Sequence, residues 1–171
     1  MERHNSKLKL VLVEGITDKG VIDAIGEKLG IQVKTLLMRG NNPSKAIRII
    51  KARLVEKEYD KVIILKDLHK LPENKVMEHL NKIAKNVQEL KVQGIIVRKA
   101  IESWILAGMG VNNPEEIDDP AETLNTYMMR RGKRYIKSYK AAKELVMEIN
   151  LEKAAKTAKS LNSFIETLKD P

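Results

Sequence analysis

Residues 61–67 read KVIILKD. Four consecutive apolar residues, Val62, Ile63, Ile64 and Leu65, stand between two lysines, and a carboxylate follows. A strand with one wet face alternates apolar and polar residues. An unbroken apolar run of this length leaves no wet face, so it calls for cover on both sides, as in a parallel sheet. The rest of the first two-thirds supplies that cover. Residues 8–13 and 31–38 are further runs of strand length, and GIIVRKAIESWILAG (94–108) reads as a short fourth strand followed by a short helix. Between them lie helical patterns. Val21, Ile22, Ile25 and Leu29 share one face of a helix that ends near Gly30, with Thr17 as its expected N-cap and Asp18 in its first turn. After the loop RGNNPSK (39–45), with Pro43 near a helix start, Ala46, Ile50, Arg53 and Leu54 keep helical spacing. After the loop LHKLPEN (68–74), Val76, Leu80, Ile83, Val87 and Leu90 alternate steps of four and three, a core seam too short for a coiled coil.

The order β-α-β-α-β-α-β predicts an α/β domain with a mainly parallel central sheet, helices on both faces and right-handed crossovers. This domain is expected over 1–110. The connection VNNPEEIDDPAE, with its two prolines, leads into an α-helical C-terminal extension over 111–171, with helices expected at 120–130, 138–148, 151–159 and 161–168. About 60 residues make a marginal core alone, so the extension is expected to pack on the sheet domain.

At 171 residues the chain is long enough for one real core with a small appendage. Aromatics are only 4 %, so that core is mostly aliphatic. Cysteine is absent, which excludes disulfides, zinc-thiolate sites and iron–sulfur clusters. No signal-peptide pattern and no membrane-length apolar run occurs, and the expectation is a cytoplasmic protein with no membrane partner. The net charge of +9 favours contact with polyanions, chiefly nucleic acid.

The strand ends carry the chemistry. Glu14 follows strand one, Asp67 ends strand three, and Glu102 lies just after strand four. In a parallel sheet those ends share the edge where α/β proteins bind ligands. Asp18, one helical turn beyond Glu14, can lean toward the same place. Carboxylates gathered there repel unless a cation neutralises them, and a hard divalent ion prefers such oxygens.

A second candidate is YMMRRGKRYIKSYKAAK (127–143). Its cations Arg130, Arg131, Lys133, Arg134, Lys137 and Lys140 suit phosphates, and Tyr127, Tyr135 and Tyr139 suit stacking on bases. Lys153, Lys156 and Lys159 read as a solvated face, and Trp104 as packing that fixes Glu102.

The segments LVLVEGITDK, VIILKDLHK and AIESWILAG resemble, in order, the motifs of the TOPRIM domain, in the branch shared with OLD-family nucleases and small stand-alone OLD-like proteins. Glu14-Gly15 matches that family's Glu-Gly after strand one. Asp18 matches the additional acid of the OLD-like branch, and Glu102-Ser103-Trp104 its Glu-x-Trp. The stretch from Gly132 to Leu168 is also similar to the helical tail of the small OLD-like proteins. The resemblance implies a TOPRIM-like fold and phosphodiester chemistry on DNA or RNA with Mg²⁺ or Mn²⁺. Carried over, Glu14 is a metal ligand or general acid/base, Asp18 and Asp67 are metal ligands, and Glu102 completes the site. OLD nucleases also use a lysine from the far part of the domain, for which Lys133 and Lys137 are the matching choices. No Walker A motif occurs, so an ATPase is expected, if anywhere, on a separate chain; an oligomer is compatible with the sequence.

One position departs from the family pattern. Its Asp-x-Asp is here Asp67-Leu68-His69, with His69 in place of the second carboxylate. Three readings follow: a metal preference moved toward Mn²⁺, a histidine acting as acid or base, or a decayed site. The rivals to a metal-dependent nuclease are accordingly a non-catalytic nucleic-acid or protein-binding module and a nucleotide phosphohydrolase. Under the first reading of His69, the native protein prefers Mn²⁺, because imidazole nitrogen suits Mn²⁺ better than Mg²⁺. His69→Asp is then expected to raise Mg²⁺-supported cleavage relative to Mn²⁺-supported cleavage. An unchanged ratio in a two-metal activity titration counts against metal ligation by His69.

Overall fold

A computed structural model of the chain describes residues 8–38, 42–68, 72–87 and 91–170. Four strands, β1 (Lys9–Val13), β2 (Val33–Leu37), β3 (Lys61–Asp67) and β4 (Lys91–Val97), form one sheet in the order β2-β1-β3-β4. Every pairing is parallel. The connecting helices are α1 (Ile16–Leu29), α2 (Pro43–Glu56) and α3 (Glu73–Asn86). After β4 come α4 (Glu102–Gly108), a 3₁₀ turn at Pro114–Glu116, α5 (Pro120–Met129), α6 (Tyr139–Glu148), α7 (Leu151–Thr157) and α8 (Lys159–Lys169). The α/β fold with a helical C-terminal part matches the sequence reading.

Strand order explains the layers. The chain steps outward from β1 to β2, then returns past β1 to β3 and on to β4. With right-handed crossovers this reversal puts α1 on one face and α2 and α3 on the other. The two hydrophobic clusters follow the two-residue period of the strands. Leu10, Leu12, Val62 and Ile64 pack with Ala46 and Ile50 of α2 and Val76, Leu80 and Ile83 of α3. Val11, Val13, Ile63 and Leu65 pack with Val21, Ile22 and Ile25 of α1 and, in the same cluster, with Trp104, Leu124, Phe164 and Leu168. The helical extension therefore shares the core of the α1 face. The central strand β3 is buried through Lys66, as its unbroken apolar run requires.

Both ends of β3 bury a lysine. At the amino end, Lys61 is 1 % exposed and its Nζ donates to the carbonyls of Thr167 (2.9 Å) and Asp170 (2.7 Å). These carbonyls close α8, where a cation is favoured by the helix dipole. Lys91 Nζ joins at Asp170 Oδ2, 2.8 Å away. At the carboxyl end, Lys66 is 3 % exposed.

The helix starts follow the capping signals of the sequence. Asn42, Asp119, Ser138 and Asn150 each accept a backbone N–H of the following turn. Some boundaries differ from the expected ones, and Lys159 opens α8 rather than closing α7. Gly15, not Thr17, is the N-cap of α1, and its N–H donates to Asp18 Oδ2 at 2.9 Å. The helix can begin this close to β1 because Asp18 reaches back to satisfy the cap from inside the first turn. β4 also begins at Lys91, ahead of the expected start at Gly94. It is an edge strand, so the polar residues Lys91 and Gln93 sit in it at little cost.

Gly20 lets α1 and α6 approach closely, since a Cβ there would strike the backbone carbonyl of Tyr139. At the far end of α1, Lys28 Nζ donates to the carbonyls of Val146, Met147 and Ile149 at the end of α6. Gly20→Ala is expected to destabilise the protein by about 1–3 kcal/mol, although Ala is the better helix former, because backbone cannot yield as a side chain does. Urea unfolding of the two proteins measures this, and an equal or higher stability for the Ala variant refutes the close approach.

Candidate functional site

Reversal of strand order opens a crevice beyond the carboxyl ends of the two strands between which it occurs. Here those strands are β1 and β3. Leu12 pairs with Ile64 in their register, and continuing it by two residues sets Glu14 beside Lys66. Their charged groups lie 3.9 Å apart. Asp67 is the next residue of β3 and lies on the opposite face of the strand, on the side of Ile63 and Leu65. Asp18 stands in the first turn of α1. Glu102 begins α4 and is 2 % exposed.

A buried carboxylate needs partners, and Glu102 draws them from the extension. The Tyr135 hydroxyl donates to Glu102 Oε1 at 3.1 Å, and Lys137 Nζ lies 3.9 Å from the same oxygen. Helix α4 is anchored from behind. Trp104 stacks on Phe164 with ring centres 5.6 Å apart, and its Nε1 donates to Ser160 Oγ at 2.8 Å. That hydroxyl in turn donates to Glu115 Oε2 at 2.7 Å. The packing role expected of Trp104 thus has a definite geometry.

The carboxylates act on one another. Burial, then the charges of Asp18, Glu14 and Glu102, push the Asp67 carboxyl up to about 8, with Lys137 opposing them. A carboxyl shifted in this direction is one that three negative neighbours and a dry setting keep from ionising. Burial lowers the Lys66 ammonium, and Glu14 opposes that shift. The Tyr135 hydroxyl is raised well above the usual phenol value by burial and by Glu102.

Of the residues expected at the site, Glu14, Asp18, Asp67, Glu102 and Lys137 come within electrostatic reach of one another. His69 lies outside the described residues. Arg130, Arg131, Lys133, Arg134 and Lys140 are exposed around Lys137 in the chain. Arg130 lies over the Tyr127 ring at 5.2 Å, and Lys140 is 3.9 Å from Glu144. Tyr135 is not a stacking platform as expected, because it is 8 % exposed and its hydroxyl is held by Glu102. Tyr139 bonds Asp23 through its hydroxyl at 2.7 Å. Among the described residues, no three of His, Cys, Asp and Glu stand as a ready-made clasp for one ion.

Sequence reasoning missed two members. Lys66 was signalled only by being a cation inside a buried run, one residue before Asp67. Tyr135 reads in the sequence as a base-stacking ring, because its distance in sequence from Glu102 hides their contact. Compared with protein-family models and with curated proteins, the chain matches none.

The arrangement makes stability depend on pH. Asp67 titrates near 3.8 as an unperturbed group and near 8 in the fold. The fold therefore keeps a proton there that the unfolded chain releases, so stability is full below about pH 4 and declines as pH rises through about 8. Asp67→Asn is expected to remove this decline, worth about 2–4 kcal/mol between pH 5 and pH 9. Denaturant titrations across that range in the absence of divalent ions test it. A native protein whose stability is flat over the range counts against the crowding of these acids.

Proposed function

We propose that this chain is a divalent-metal-dependent phosphodiesterase acting on DNA or RNA, of the kind that its resemblance to TOPRIM and OLD-like nucleases implies. The observation that carries this reading is the pressure that Asp18, Glu14 and Glu102 exert on Asp67 at the mouth of the β1/β3 crevice. Acids gathered this way favour a cation. The donors are all hard oxygens, which fit Mg²⁺ or Mn²⁺ held by a few carboxylates with water completing the shell. Asp67, Asp18 and Glu102 are the residues that would hold the ion. When bound, it supplies charge stabilisation at the phosphate oxygens and a water more acidic than bulk water.

The chain's own groups do the rest. Tyr135 fixes the Glu102 carboxylate by its hydrogen bond. Lys137 is 63 % exposed, so its ammonium is open to an incoming phosphate oxygen while it stays near Glu102. Glu14, braced by Lys66, takes a proton from the attacking water or returns one to the leaving oxygen. The exposed Arg130, Arg131, Lys133, Arg134 and Lys140 hold the backbone flanking the scissile bond. In this reading the protein is cytoplasmic, and any coupled ATPase is a separate chain.

A second reading, a nucleic-acid-binding module without catalysis, draws support from the lack of a ready-made ion clasp among the described residues. One set of assays separates the two. Plasmid and single-stranded substrates are incubated with Mg²⁺ or Mn²⁺, and binding is measured across salt concentrations. Cleavage that depends on metal and falls at least about 100-fold in Asp67→Ala supports the enzyme. Salt-sensitive binding with no cleavage under either metal replaces it with the binding module.

A further inference from the structure

We propose that the segment 129–137 is a lip for an unpaired stretch of DNA or RNA, with Ile136 and Met129 packing on bare base faces while the cations around them hold the phosphates. The chain accordingly prefers a single strand to a duplex. The inference rests on the nucleic-acid contact that both readings above share, and it needs no metal ion.

The positive charge of the chain is not spread evenly. Between Glu122 and Glu144 stand seven lysines and arginines and no acid, so this stretch holds +7 of the net +9. Arg131, Lys133 and Arg134 are exposed and pair with no acid among the described residues. A concentrated run of one sign is the footprint of phosphate contact. It does not separate a strand from a duplex, since both present phosphates. The apolar groups do. Ile136 is 68 % exposed and Met129 56 %. One exposed apolar side chain is ordinary, but these two flank the densest part of the basic run. Isoleucine and methionine are side chains that pack between bases. In a duplex the base faces are covered by stacking and must first be opened, whereas a single strand offers them bare.

The tyrosines of this stretch are already engaged. Tyr135 is buried against Glu102, Arg130 lies over the Tyr127 ring, and Tyr139 is held by Asp23 with Lys19 and Lys143 near its ring. Ile136 and Met129 are the apolar surface left open. Their setting is fixed by the backbone. The Met128 carbonyl accepts the N–H groups of Arg131 (2.9 Å) and Lys133 (3.0 Å), and Gly132 takes the positive φ of 72° that this turn needs. Asn125 then ties the two halves together. Its Oδ1 accepts the Tyr135 N–H at 2.9 Å, and its Nδ2 donates to Met129 Sδ at 3.7 Å. With Tyr135 turned inward, its neighbours Arg134 and Ile136 are turned out to solvent. A surface ordered before the strand arrives loses less entropy on binding it.

The test is fluorescence anisotropy of labelled oligonucleotides titrated with the full chain in EDTA, each as a single strand and as a blunt duplex, in DNA and in RNA form. The native protein is expected to hold at least one of the single strands about tenfold or more tightly than the corresponding duplex. Ile136→Ser is expected to lose about fivefold on that strand and less than about twofold on the duplex, with the salt dependence unchanged. The double variant Arg131→Ala/Arg134→Ala is instead expected to weaken both forms alike and to flatten the salt dependence. Ile136→Trp is expected to keep the strand affinity, and its added indole emission to be quenched by the strand, against a native Trp104 that is only 1 % exposed. Equal native affinity for strand and duplex, or an Ile136→Ser loss shared equally by both, overturns the inference and leaves nucleic-acid contact standing. No binding to any of these nucleic acids overturns both.

Discussion

Covering both faces of β3 is the constraint on which the structure depends. A strand without a wet face still has two ends, and its polar groups must be settled there. In β3 both ends bury a lysine. The amino end settles its charge on the last carbonyls of α8, so the chain's final helix is pinned to its central strand. The carboxyl end settles it on Glu14, beside the candidate site. The demand that creates the core also creates a place where charges must pair.

The α1 face needs the extension for the same reason. One crossover helix does not cover four strands, and α4 to α8 complete the layer with Trp104, Leu124, Phe164 and Leu168. In doing so they bring Tyr135 and Lys137 to Glu102. The acids come from the α/β part, and two of the groups that hold or offset them come from the extension or are fixed by it. Packing and site are therefore not separable in this chain.

Much of this was legible in the sequence because it is local. The run VIIL announced a doubly covered strand. Glu14, Asp67 and Glu102 could be assigned to one edge because all strands of a parallel sheet end on the same side. Gly15 as N-cap was not legible, since Asp18 satisfies the cap from within the helix while Thr17 looks the better candidate. Tyr135 and Lys66 were not legible in their roles either. The Tyr135–Glu102 bond spans 33 residues, and the Lys66–Glu14 pair exists only because β1 and β3 are neighbours.

The α1–α6 pair has a consequence for transplanting the site. Gly20 sets the spacing at one end of α6, and Lys28 closes the other by holding three of its terminal carbonyls. α1 is thus a splint for the helix that directly follows Lys137. Copying the four acids onto another parallel sheet would carry over their repulsion without the cation that tempers it. The smallest portable unit is therefore α1, α6 and the segment leading into it together with the strand ends that carry the acids.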